Sequence, residues 1–144
     1  MSLQVEKITH DEQLKSAYWI REQVFVVEQG VDARDEYDEF ESQCSHFLAS
    51  LDNKPVGTAR WRFTPKGIKL ERFAVLEEAR GKGVGQALVA AVLKDINEYE
   101  ESTGKLKYLH AQLSAVPLYS KFGFNKVGDI FEECNIMHYK MQLA

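Results

Sequence analysis

The chain has 144 residues, of which 44% are apolar, 28% charged and 11% aromatic. That length suits one domain, residues 1–144, able to bury roughly 70% of the surface its unfolded chain exposes; with 3 prolines and 9 glycines it is neither collagen-like nor disordered in composition. Eighteen basic residues against 22 acidic ones leave a formal net charge of -4, which argues against a nucleic-acid partner, because neutralising phosphates needs a basic face.

The two cysteines, Cys44 and Cys134, form no C-x-x-C pair, and no H-E-x-x-H occurs. No metal is expected, and free thiols suit a reducing, cytoplasmic setting. No apolar run approaches ~20 residues, and the opening residues lack the regions of a signal peptide, so no membrane partner is expected.

In chain order, Leu3 to Ile8 opens with apolar–polar alternation and reads as a strand. Thr9 and Glu12 make a T-x-x-E capping box for a helix that carries Leu14, Ala17, Tyr18 and Arg21 and ends near Val26 or Val27. Between Gly30 and Glu41 stand six carboxylates (Asp32, Asp35, Glu36, Asp38, Glu39, Glu41) with Arg34 as the one cation. Such a run reads as a solvated loop or short helix, or as a holder for a cationic substrate. His46–Leu51, Val56–Phe63 and Ile68–Val75 form an antiparallel meander, with turns at Asp52–Pro55 and Thr64–Gly67. A long helix follows, with Val84, Leu88, Ala91, Val92, Ile96 and Tyr99 as its stripe and Gly104 as its stop. Lys107–Gln112 is a strand, Pro117–Phe122 a short helix, and Phe124–Val127 and Ile136–Met141 close the chain as strands. The order β-α-βββ-α-β-α-ββ suits an α/β fold: a mixed, mainly antiparallel sheet flanked by helices.

Arg80-Gly81-Lys82-Gly83-Val84-Gly85 joins a strand to the long helix. Glycines there let a ligand approach the backbone, and the first helical turn offers unpaired N–H groups at a positive dipole end. Such a loop suits phosphate. It is not a Walker A loop, since Gly83 follows Gly81-Lys82, nor a Rossmann fingerprint, since Gln86 stands where the third glycine belongs.

The loop resembles the [RQ]-x-x-G-x-[GA] motif of the GNAT superfamily of N-acetyltransferases, here Arg80-x-x-Gly83-x-Gly85. Ala115 to Phe124 is similar to the family's A-x-x-F-Y-x-K-x-G-F segment, with Leu118 in place of a common phenylalanine. Arg21 to Gln29, His46, Leu109 to Gln112 and Phe131 to His138 extend the likeness to the small bacterial ElaA-like or YjcF-like branch; Cys134, Asn135 and Met137 depart from its tail motif.

The resemblance implies a single GNAT domain that moves an acetyl group from acetyl-CoA, its co-substrate, to a primary amine of a small molecule or peptide. It implies pyrophosphate contacts at Arg80, Gly81, Lys82, Gly83, Val84 and Gly85, and pantetheine contacts on the strand Phe73-Ala74-Val75. Tyr119 is then the proton donor to the departing thiolate, and the Val75 N–H a group able to polarise the thioester. Glu28, Glu71, Glu133, His110 and His138 are candidates to keep the amine neutral. Glu71, which precedes the cofactor strand, and Glu28, in the branch motif, rank first. Trp19, Phe25 and Trp61 read as core or pocket wall. A homodimer is common in such families. A non-catalytic acyl-CoA-binding module and a nucleotide binder stay open as other readings.

Overall fold

The computed structural model describes residues 2–143. Seven strands form one sheet: β1 (Leu3–Lys7), β2 (Ser45–Leu51), β3 (Lys54–Thr64), β4 (Gly67–Val75), β5 (Lys107–Gln112), β6 (Phe124–Glu133) and β7 (Ile136–Leu143). Their order is β1-β2-β3-β4-β5-β7-β6. Every pairing is antiparallel except β4 with β5, so the sheet is mixed and mainly antiparallel. The helices are α1 (Asp11–Arg21), α2 (Ala33–Glu36), α3 (Val84–Asn97) and α4 (Val116–Ser120).

Alternation along β3 shows how the helices are distributed. Trp61 donates its indole N–H to Asp95 of α3 at 3.0 Å, whereas Arg60 shares the carboxylate of Glu41 with Arg21 of α1. Neighbouring strand residues point to opposite faces, so α1 and α3 cover opposite sides of the sheet. The α3 stripe Val84, Leu88, Val89, Val92 and Ile96 is buried, each side chain contributing roughly 1.5–3 kcal/mol of burial.

Several boundaries differ from the sequence reading. The first helix begins one residue later, at an N-cap His10; the Gln13 side chain accepts from the Thr9 and His10 amides, a job expected of Glu12. Beyond Arg21 the helix widens into a π-helical stretch, Glu22–Glu28. α3 stops at Asn97, and the extended backbone at Tyr99 sets its ring 5.1 Å from that of Trp61. β6 runs to Glu133 through an irregularity between Val127 and Phe131. Trp61 is core and Phe25 lines a cavity, but Trp19 is half exposed, because α1 turns Ala17, Ile20 and Arg21 inward instead.

The acidic run is the main correction. It is not a solvated segment opposed by Arg34 alone. Glu36 is 2% exposed and binds Arg21 at 2.7 Å; Asp38 binds Arg60 at 2.6 Å; Glu41 binds both arginines at 2.7 Å. Arg21 and Arg60 are 1% and 0% exposed. The run therefore folds inward onto cations carried by α1 and β3. Asp32 instead caps α2 through the Arg34 amide at 2.9 Å.

Candidate active site

β4 and β5 pair only at Ile68–Lys107, Lys69–Tyr108 and Leu70–Leu109. Beyond Leu70 and Leu109 the strands part, and a cavity of about 250 Å³ fills the splay. A bulge helps to open it: Arg60 pairs with Glu71 and Thr58 with Ala74, so β4 carries one extra residue there. Arg72 sits in the bulge at φ 57, a left-handed conformation that costs a non-glycine residue on the order of 1 kcal/mol or more. Its guanidinium is held by the Glu36 carbonyl at 3.2 Å and the Glu36 and Asp38 carboxylates at 3.4 Å. The inward-folded acidic run thus pins the bulge that shapes the cavity.

After the bulge, Phe73 lines the cavity, Ala74 pairs with Thr58, and Val75 pairs with Gly57. The next amide, Leu76, donates to Val56 of β3 at 2.8 Å. Val75 one residue earlier therefore turns its own N–H and C=O away from β3, into the splay. A 3-10 turn, Glu77–Ala79, leads from the strand into the glycine loop. Gly81 and Gly83 have φ 77 and 84, where a side chain would be strained, and open space surrounds both. Gly83 is the N-cap of α3 with no side-chain cap, so the first-turn amides of Val84, Gly85 and Gln86 lack intrahelical acceptors. Lys82 is exposed beside them. A Cβ on Gly85 would meet Leu118 at 3.2 Å, so this glycine lets α4 lie close against α3.

That packing places Tyr119. Its ring lies edge-on to Phe73 with centroids 5.6 Å apart, and it lines the cavity. Burial pushes its phenol above the ordinary value of about 10, so it is a protonated hydroxyl at neutral pH.

The two carboxylates ranked first in the sequence are both engaged by cations. Glu71 lines the cavity but is bound by Arg62 at 2.6 Å, Arg60 at 3.3 Å and Lys69 at 3.4 Å. Burial alone would raise its pKa; Arg60, Lys69 and Arg62 outweigh burial and lower it. Glu28 forms a two-pronged pair with Arg80 at 2.6 and 2.7 Å, which lowers its pKa, and Arg80 also reaches the Val75 carbonyl at 3.1 Å. Carboxylates held down in this way are poor bases near neutral pH. His110, Glu133 and His138, which the sequence reading ranked lower, also line the cavity. Their meeting was hidden because three different strands supply them.

The family comparisons agree with this fold. Residues 8–144 match the model of the acetyltransferase (GNAT) domain. YjcF of Bacillus subtilis, described as an uncharacterized N-acetyltransferase, is 40% identical over 133 residues, covering 92% of this chain and 93% of that protein. The crystal structure of ElaA from Escherichia coli superposes with a TM-score of 0.81 at 27% identity, over 100% of both chains. A GNAT acetyltransferase from Elizabethkingia anophelis, solved with acetyl-CoA bound, shares the fold at 14% identity and a TM-score of 0.72, over 98% of this chain and 97% of that one. The chain belongs to the GNAT acetyltransferases. Within them it falls in the ElaA and YjcF branch.

Among the described residues, no helix is long and apolar enough to cross a membrane.

Proposed function

We propose that the protein is an acetyl-CoA-dependent N-acetyltransferase acting on a primary amine of a small molecule or peptide, with Tyr119 as the proton donor. One observation carries the reading. β4 leaves β5 at Leu70, turns the N–H of Val75 into the splay with the Val75 C=O held by Arg80, and leads through a short 3-10 turn into a glycine loop at a helix N-terminus. An extended chain ending in phosphates fits that path: pantetheine along Phe73, Ala74 and Val75, pyrophosphate on Gly81, Lys82, Gly83, Val84 and Gly85 with Arg80 beside it. Acetyl-CoA supplies an activated acyl group, and a fold relative carries it.

The protein's own residues do the rest. The Val75 N–H is free to stabilise charge developing on an acyl oxygen. The buried Tyr119 hydroxyl holds its proton until a thiolate takes it, an effect worth roughly 10²–10⁴-fold. Glu28 fits better as a holder of Arg80 than as a base, and Glu71 as part of the buried ion network.

CoA release measured with a panel of primary amines tests the proposal. We expect release to depend on added amine, and Tyr119→Phe to slow it about 10²-fold or more while acetyl-CoA still binds. Tight acyl-CoA binding without amine-dependent turnover would instead make the chain a binding module, and an unchanged rate in Tyr119→Phe would remove that residue from the reaction.

A further inference from the structure

An amine with the pKa of a lysine side chain, about 10.4, is almost wholly ammonium at neutral pH and has no lone pair to attack with. Something in the cavity must take its proton. Glu71 and Glu28 are tied to arginines. His110 is placed differently. It is the first residue of β5 past the last pair with β4, and it lines the cavity where the strands part.

The His110 ring is fixed from two sides. Phe131 of β6 meets it edge-on with centroids 5.1 Å apart, and Nδ1 lies 3.4 Å from the Glu133 carboxylate. A carboxylate only accepts hydrogen bonds, so Nδ1 carries the hydrogen and Nε2 keeps its lone pair. The other carboxylate oxygen of Glu133 faces Nε2 of His138 at 3.8 Å. His138 is committed elsewhere: its Nδ1–H donates to the Ile136 carbonyl at 2.7 Å, its ring stacks on Phe131, and it is 6% exposed. His110 retains a side-chain exposure of 26%, so an acceptor can reach it.

We infer that His110, oriented by Glu133, is the base that takes the proton from the acceptor ammonium. The inference rests on the acetyltransferase reading. The ammonium N–H bond breaks and a bond from His110 Nε2 to that hydrogen forms. The freed nitrogen pair makes the amide C–N bond as the acyl C–S bond breaks, and the sulfur leaves with that bonding pair. Tyr119 gives its hydroxyl proton to the sulfur and is restored by the second nitrogen proton; His110 returns the first to water. Glu133 is a positioning residue. The His110 hydrogen bond holds its carboxyl down to about 2; burial opposes this, and the charges of His110, Lys69 and His138 add to it. It is therefore an anion throughout the neutral range and stabilises an imidazolium on His110.

The charged groups around His110 are Glu133 from β6, His138 and Lys140 from β7, and Lys69 and Glu71 from β4. Lys69 and Glu71 pair with each other at 3.4 Å, and Lys140 lies over the Tyr108 ring at 5.5 Å. Glu133 is the carboxylate in direct contact with the ring.

The test compares butylamine, an ammonium at pH 7, with aniline, a free base there, in the whole 144-residue chain. His110→Asn, with His110→Ala beside it, should lower kcat/KM for butylamine at pH 7 about 10²-fold or more. The deficit should close as the pH approaches the amine's own pKa. Aniline should lose less than about threefold, and acetyl-CoA affinity by calorimetry should be retained, which verifies folding. Glu133→Gln should lower kcat/KM for butylamine at pH 7 severalfold while sparing aniline and acetyl-CoA affinity, with Glu133→Asp recovering part of the loss. Equal losses for both amines, a deficit independent of pH, or a selective loss in His138→Gln but not in the His110 variants would overturn the inference. If the wild-type protein binds acetyl-CoA yet releases no CoA with either amine, the transferase reading fails first and takes the inference with it.

Discussion

Replacing Arg60 with methionine would remove a guanidinium that is 0% exposed and contacts three carboxylates: Asp38 at 2.6 Å, Glu41 at 2.7 Å and Glu71 at 3.3 Å. Methionine keeps much of the volume and none of the charge. Removing one partner of a buried ion pair costs about 3–5 kcal/mol, because the remaining charge is left without compensation. With an unfolding entropy of about 2.1 cal/mol/K per residue, that cost lowers Tm by roughly 10–17 °C for this chain. The pH dependence separates this charge effect from simple loss of packing. Asp38 is held down to about 2: burial alone would raise it, and the Arg60 hydrogen bond and charge outweigh burial. A depressed carboxyl contributes stability that is complete above its unfolded pKa of about 3.9 and is lost as the pH falls through about 2. In the variant, burial is no longer opposed by Arg60. Arg72, Arg21 and Arg62 still hold Asp38, Glu41 and Glu71, so the folded-state values rise only toward the unfolded ones, and the variant loses less stability than the parent as the pH falls below about 4. The gap between the two proteins should therefore narrow on acidification. Urea denaturation at pH 7, 4.5 and 3 measures it. A loss below about 1 kcal/mol at pH 7, or a gap that widens toward acid, would refute the reasoning.

Arg80→Ala should weaken acetyl-CoA binding about 10–100-fold by calorimetry, as expected for losing charged hydrogen bonds to phosphate; stability should change by less than about 1 kcal/mol, since its pair with Glu28 is solvent-exposed. Unchanged affinity would make the loop a structural turn. Gly85→Val should crowd Leu118, already 3.2 Å from a single added Cβ. The α4 helix must then shift and take Tyr119 with it, and a misplacement near 1 Å lowers kcat up to about 10²-fold. A normal kcat would show that α4 can move without disturbing the reaction.

Much of the fold is legible in local pattern. The turns at Asp52–Pro55 and Thr64–Gly67 mark off β2, β3 and β4, and the stripe of α3 is a clean helical period. The two-residue turn Asp52-Asn53, with φ 49 and 69, uses residues that tolerate left-handed backbone. The tail hairpin is harder to read, because Cys134 and Asn135 make a similar turn, with φ 51 and 63, where the branch motif carries other residues. The π-helical widening after Arg21 has no period that a sequence pattern can display, yet it carries Phe25 into the cavity wall.

The site divides in the same way. A glycine loop between a strand and a helix is a contiguous device, so the sequence by itself marked the candidate phosphate loop and the tyrosine of the family segment. What each carboxylate does depends on partners distant in the chain, and only the tertiary structure decided it. Glu36 and Asp38 look solvated until α1 and β3 bring Arg21 and Arg60 onto them. Glu71 looks like a base until the same arginine occupies it. Glu133 and His110 stand 23 residues apart and meet because β7 lies between β5 and β6, with the β6–β7 hairpin folding its tip over the splay. Protonation depends on the charges within a few ångströms, and here those charges come from other strands and helices.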